Sequence, residues 1–163
     1  MAWNDDDDMD FNEDASADDN ERMDREMRDK DRKLHKHPLY LKADEIFKTV
    51  HTMQETIEDD SRKMYMRTLL ESAMMLAPKF AGAVTSESWM VCMQNAAIMR
   101  YHAQYIHTAT SMLSQMTGLP KEYVQVLRRE MEEFRELFKA WVKTFGKLED
   151  EGVNDEWGLF RRD

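Results

Sequence analysis

Apolar side chains first recur at helical spacing just after Pro38: Leu39, Ala43, Ile46, Phe47, Val50, Met53 and Ile57 fall on one face. Proline suits the first turn of a helix, where its missing N–H has no intrahelical partner to lose, so a helix is predicted to open at Pro38. "EDDS" (58–61) interrupts the pattern and offers Asp60 or Ser61 as the cap of a second helix over about residues 61–83. Met66, Leu69, Leu70, Ala73, Met74, Ala77, Phe80 and Ala81 supply its inward face. "TSES" (85–88) is the next start signal, with Thr85 or Ser86 as cap. A third helix follows over about residues 87–116 through Trp89, Met93, Ala96, Ala97, Ala103, Ile106, Ala109 and Leu113. Gly118 stops it and Pro120 begins a fourth. There Val124, Leu127, Met131, Phe134, Phe138, Trp141 and Phe145 are spaced 3, 4, 3, 4, 3 and 4, a heptad seam that runs until Gly146.

Four amphipathic helices joined by short polar turns, with no alternating strand pattern between them, predict an all-α domain over residues 38–147. The expected architecture is an up-down-up-down four-helix bundle. Pro78 lies inside its second helix, where the ring removes a backbone donor and crowds the preceding turn, so a bend is expected there. Ala77, Ala81, Gly82 and Ala83 are small enough to let a neighbouring helix approach around that bend. Fifteen methionines offer adaptable filling for an irregular core, with a methionine-rich binding surface as the alternative.

Charge separates the ends from the middle. Residues 1–37 carry 14 Asp/Glu against 7 Lys/Arg, residues 38–147 carry 13 against 14, and residues 148–163 carry 6 against 2. The acidity therefore sits in the two ends. Residues 1–19 hold too few apolar groups to offset the entropy of ordering, and residues 1–37 as a whole read as a disordered charged tail. Within it, residues 20–37 mix signs at short spacing and read as a solvated tether able to form a transient helix. Trp3, Met9 and Phe11 could serve there as a weak docking motif. Residues 148–163 form a second acidic tail carrying "EWGLF", which could dock on a partner, pack on its own bundle or trail in solvent. The start of the chain lacks the basic and apolar regions of a secretory signal, and no apolar run reaches the length of a membrane span, so a cytoplasmic location without membrane contact is expected. The lone Cys92 lies between Val91 and Met93 and reads as a buried, inert thiol.

The stretch "SAMMLAPKFAGAV", an alanine-rich third helix "MQNAAIMRYHAQYI" and the turn "TGLPKEY" follow in an order that resembles a bacterial family. That family is the four-helix-bundle group of the ribosomal-RNA intervening-sequence proteins and the accessory proteins of diversity-generating retroelements. The resemblance spans about residues 38–147 and leaves both ends unmatched. It implies a homo-oligomer, often a five-fold ring, that acts as a binding accessory and not as a catalyst. In the retroelement branch it implies a reverse transcriptase and nucleic acid as partners, held through a basic surface. The basic residues here are Arg62, Lys63 and Arg67 at the start of the second helix, and Arg128, Arg135, Lys139 and Lys143 along the fourth. Glutamates interleave the second group, so a salt-bridged solvated face competes with a phosphate-binding one.

Motifs for chemistry are lacking. No Glu-x-x-His pair, Gly-rich phosphate turn, nucleophile elbow or cysteine pair occurs in the sequence, so no cofactor and no enzymatic activity are expected. His35, His37, His51, His102 and His107 are too scattered to converge on an ion. Glu130, Glu132 and Glu133 are expected beside arginine partners on an exposed face, with Arg128–Glu132 and Arg129–Glu133 at helical neighbour distance. Gln94, Asn95 and Arg100 interrupt the third helix, and Asn95 shares a face with His102 seven residues on. Asn95, Arg100 and His102, with Pro78 and Gly82, are the candidates for an interface or for setting helix register. The expected role is a homo-oligomeric accessory or scaffold that binds a protein partner, with a nucleic-acid-binding accessory as the alternative.

Overall fold

The computed structural model describes residues 17–148; 89% of them are helical and none is in a strand. Five α-helices follow in order: α1 Ala17–His35, α2 Pro38–Glu55, α3 Asp60–Val84, α4 Trp89–Thr117 and α5 Lys121–Val142. A 3-10 turn, Lys143–Lys147, extends α5.

Helix α1 covers the part of the charged tail expected to form a transient helix and begins three residues before it. Its 19 residues carry only Met23, Met27 and Leu34 as large apolar side chains, of which Leu34 packs against the core, and its charges alternate in sign at one-turn spacing. Arg25 meets Glu21 at 2.8 Å and Arg22 meets Glu26 at 3.3 Å, both four residues apart and exposed. Such pairs are individually worth a few tenths of a kcal/mol, roughly 0.2–0.5 each, and several in register support a helix that buries little. Trp3, Met9, Phe11 and the "EWGLF" segment lie outside the described residues.

Local signals mostly sit where the sequence places them. Pro38 occupies the first turn of α2, and the His37 ring nitrogen accepts from the Leu39 amide at 3.1 Å. The caps shift by one to three residues. Asp59, not Asp60 or Ser61, caps α3 by accepting from Ser61 N at 2.8 Å, and Ser88, not Thr85 or Ser86, caps α4. In each case the cap is the residue immediately before the first helical residue, whose side-chain oxygen accepts from first-turn amides, while the Ser86 hydroxyl accepts from the Ser88 amide at 3.2 Å. Gly118 ends α4 with φ +75°, the left-handed geometry that glycine adopts without a steric penalty, and its amide donates to Ser114 O at 3.0 Å. Gly146 does not end α5; it sits within the 3-10 turn that carries Phe145 into the core.

Helices α2 to α5 share a single core, and each packs against two of the others in the cyclic order α2, α3, α4, α5. The heptad seam of α5 faces inward: Val124, Leu127, Met131, Phe134, Trp141 and Phe145 are buried and Phe138 is half-buried. Phe80 of α3 is fully buried; its ring lies 5.1 Å from Trp141 and 4.6 Å from His37. Met74 and Ala97, expected inside, are exposed, while Leu76, Met99 and Leu119 are buried in the core. Met74 loses its place because Ala73 and Leu76 take the inward arc on either side of it. The helix α3 continues through Pro78 to Val84.

Candidate functional site

Three surfaces bring together the polar and apolar residues left over once the core is filled. The first is the seam between α3 and α4. Asn95 lies over Gly82, whose missing Cβ would stand 3.5 Å from the Asn95 Oδ1 atom. The Asn95 amide nitrogen donates to Val91 O at 2.9 Å, so half of the side chain is used within its own helix. Two turns along, the His102 ring meets the Ser72 hydroxyl at 3.3 Å, and Ser72 is buried. Burial, aided by the positive charge of Lys79, pulls His102 below the ordinary histidine value. The structure thus joins Asn95, Gly82 and His102 along one seam, the shared face of Asn95 and His102 being the one their seven-residue spacing predicts, with Pro78 exposed one turn before Gly82. Arg100 does not join them. It faces the other side of α4.

That other side is the second surface, a groove of about 760 Å³ between α4 and α5. Its floor is aromatic and apolar, with Phe134, Phe138 and Met131 below and Tyr101 and Tyr105 alongside. Arg100, Arg135 and Lys139 stand on its rim. Arg135 pairs with Glu132, and Lys139 with Glu136 at 2.8 Å, whereas Arg100 makes no ion pair or hydrogen bond within the described residues. Arg128 lies further along the same face of α5 and ties the two helices, its Nε donating to Thr110 Oγ1 at 2.9 Å and its Nη2 to Ser111 Oγ at 3.4 Å. Arg128 therefore spends its charge on α4 and not on Glu132, which instead meets Arg135 and His107. Lys143 is exposed on the turn after α5. Arg62, Lys63 and Arg67 sit apart, at the start of α3, beside Asp59, Asp60 and Glu71 at 3.9, 3.6 and 3.1 Å.

The third surface is the outer face of α4. Ile98, Tyr101, Tyr105, Met112 and Met116 are all exposed, at steps of three, four, seven and four residues. Helical geometry places them in one stripe. Met64 on α3 is 73% exposed, and the antiparallel register set by Gly82–Asn95 and Ser72–His102 brings it level with Met112. The sequence offers a methionine-rich surface as an alternative but does not say which side of α4 bears it, because apolar residues occur on several sides of that helix.

One acidic group also behaves differently from its sequence neighbours. Glu130 turns between α2 and α5, where its Oε1 accepts from Thr49 Oγ1 at 2.8 Å while its Oε2 is buried with no partner. Burial raises its pKa, against the opposing pull of Thr49 and Lys42. Glu133 is held below the ordinary carboxylate range by the hydrogen bond from Lys42, 2.6 Å away. Glu130 is thus not on an exposed arginine-paired face, because its position on α5 is the one that meets α2.

Cys92 is buried, and its thiol donates toward Ala83 O at 3.3 Å, with burial raising its pKa. Among the described residues, no group of three His, Cys, Asp or Glu side chains is placed to hold a metal ion, and no helix is long and apolar enough to cross a membrane. Comparison with protein-family models, with curated proteins and with solved structures finds no match.

Proposed function

We propose that this chain is a non-enzymatic, homo-oligomeric accessory protein, an up-down-up-down four-helix bundle of α2 to α5 bent at Pro78, with α1 as an added arm. It acts in the cytoplasm as a scaffold that holds a protein partner, in keeping with the family it resembles. The observation that carries this reading is the exposed α4 stripe: Tyr101 is 67% and Met112 57% exposed, on a helix with no membrane-spanning character. A contiguous apolar face of this kind is costly to leave in water and marks an interaction surface. Methionine and tyrosine suit the task, since thioethers adapt to a partner and tyrosine combines large contact area with a polar tip.

The test places a photo-reactive phenylalanine analogue at Met112 and, separately, at Thr52 on the exposed side of α2. A chain-to-chain product from position 112 and little from position 52 supports the reading. Equal or absent products from both refute it.

A nucleic-acid accessory is the second reading, and the α4–α5 groove favours it, since aromatic floors beside cationic rims accept single strands. On that reading a single-stranded oligonucleotide binds more weakly as salt rises, and Arg135→Glu with Lys139→Glu removes the binding. Salt-independent retention would count against it.

A further inference from the structure

The α4–α5 groove is built for a ligand that is both aromatic and acidic. Its floor of Phe134, Phe138 and Met131 offers apolar contact, and its volume of about 760 Å³ lies within the range of sites that seat several side chains. Arg100 on the rim has no anionic partner among the described residues. Both properties call for a segment with carboxylates next to aromatic side chains, and this chain carries one immediately after α5. "EDEGVNDEWGLF" (149–160) places five carboxylates, at Glu149, Asp150, Glu151, Asp155 and Glu156, before Trp157, Leu159 and Phe160.

We propose that residues 149–160 fold back along α5 of the same chain, seating Trp157, Leu159 and Phe160 on the groove floor with their carboxylates against Arg100, Arg135 and Lys139. The described chain ends at Leu148, which packs against the core close to where Phe145 meets Trp141. Lys139 lies nine residues earlier, about 14 Å back along the helix axis at 1.5 Å per residue. The eight residues 149–156 span up to about 26 Å when extended, so the link reaches the groove with length to spare. Gly152 lies early in that link, where the chain must reverse, and tolerates either sign of φ. Occupied in this way, the groove leaves Ile98, Met112 and Met116 of the outer stripe uncovered, so the docking holds whether or not the chain self-associates.

Disulfide trapping in the full-length chain tests this directly. Gln104, on the groove wall, and Thr68, on α3, are both exposed, so a cysteine at either leaves the core untouched. With Leu159→Cys, Gln104→Cys is expected to form an intrachain disulfide at least tenfold faster than Thr68→Cys under mild oxidation, at a rate independent of protein concentration. Adding Arg100→Glu is expected to slow that trapping several-fold. Similar rates at positions 104 and 68 overturn the proposal. So does trapping only between chains, which would assign the groove to a second copy, or trapping of Phe11→Cys by Gln104→Cys in place of Leu159→Cys, which would assign it to the N-terminal segment. A rate unmoved by Arg100→Glu removes the charge complementarity on which the assignment rests.

Discussion

Phe80→Ala is the most informative single change to the core. Phe80 is fully buried on α3, and its ring touches His37 at the start of α2 and Trp141 near the end of α5, with Tyr40 6.4 Å away. Truncation removes the transfer energy of a whole aromatic side chain and leaves a cavity walled by side chains from three helices, which cannot all close on it. Phenylalanine-to-alanine changes in such sites cost about 3–5 kcal/mol. A domain of this size has a stability of order 5–15 kcal/mol, so the loss takes a large share of it. At about 2–4 °C per kcal/mol, a loss near 4 kcal/mol lowers the melting temperature by roughly 8–16 °C. Phe80→Leu retains most of the volume and should cost less than about 1.5 kcal/mol. Thr52→Ala, at an exposed site on α2 outside the stripe and the groove, should fall within about 0.5 kcal/mol of the parent. Urea unfolding followed by far-ultraviolet circular dichroism measures all three. A Phe80→Ala loss under 1 kcal/mol, or one matching Thr52→Ala, would refute the convergence of three helices on that ring.

Gly82→Ala should raise stability by about 0.5–1 kcal/mol, since the site is helical and the added Cβ meets Asn95 at an ordinary 3.5 Å; a lower melting temperature would show that the α3–α4 seam needs glycine. Glu130→Gln should stabilise the fold at pH 7 and have little effect at pH 4. The raised carboxyl pKa means that the folded chain holds its proton longer than the unfolded one, so the native group loses stability as pH rises from the ordinary carboxylate value through the folded one. Urea midpoints at the two pH values check this, and an equal shift at both would count against it. His102 has the opposite sign: its lowered pKa makes its contribution fully present above the ordinary value of 6.5 and lost as pH falls below it. His102→Gln should therefore flatten the stability profile between pH 5 and 7, and an unchanged slope would contradict the assignment.

The helices α2 to α5 were legible because each carries an apolar stripe at the helical period, most plainly the heptad of α5. The pairing of Asn95 with His102 along one seam was legible for the same reason, since seven residues make two turns. Helix α1 was legible only as a transient helix in a solvated tether, because little that is apolar marks it and its support comes from charge pairs that also occur in solvated chains. Which side of α4 is outside was equally hidden: the exposed Ile98 and Met112 are as apolar as the buried Ile106 and Met99, and only the packing of α3 and α5 decides between them. Arg128 and Glu130 show the same limit for polar groups. Their sequence neighbours suggested pairing along α5, whereas the structure turns one to Thr110 of α4 and the other to Thr49 of α2.

The central claim is that the uncovered face of α4 is where copies of this chain meet. Light scattering over a tenfold range of concentration tests it most directly. The account predicts a particle several times heavier than the 19.4 kDa chain, reduced toward a single chain by Ile98→Glu with Met112→Glu while helix content is retained. A native mass of 19.4 kDa at every concentration would contradict it.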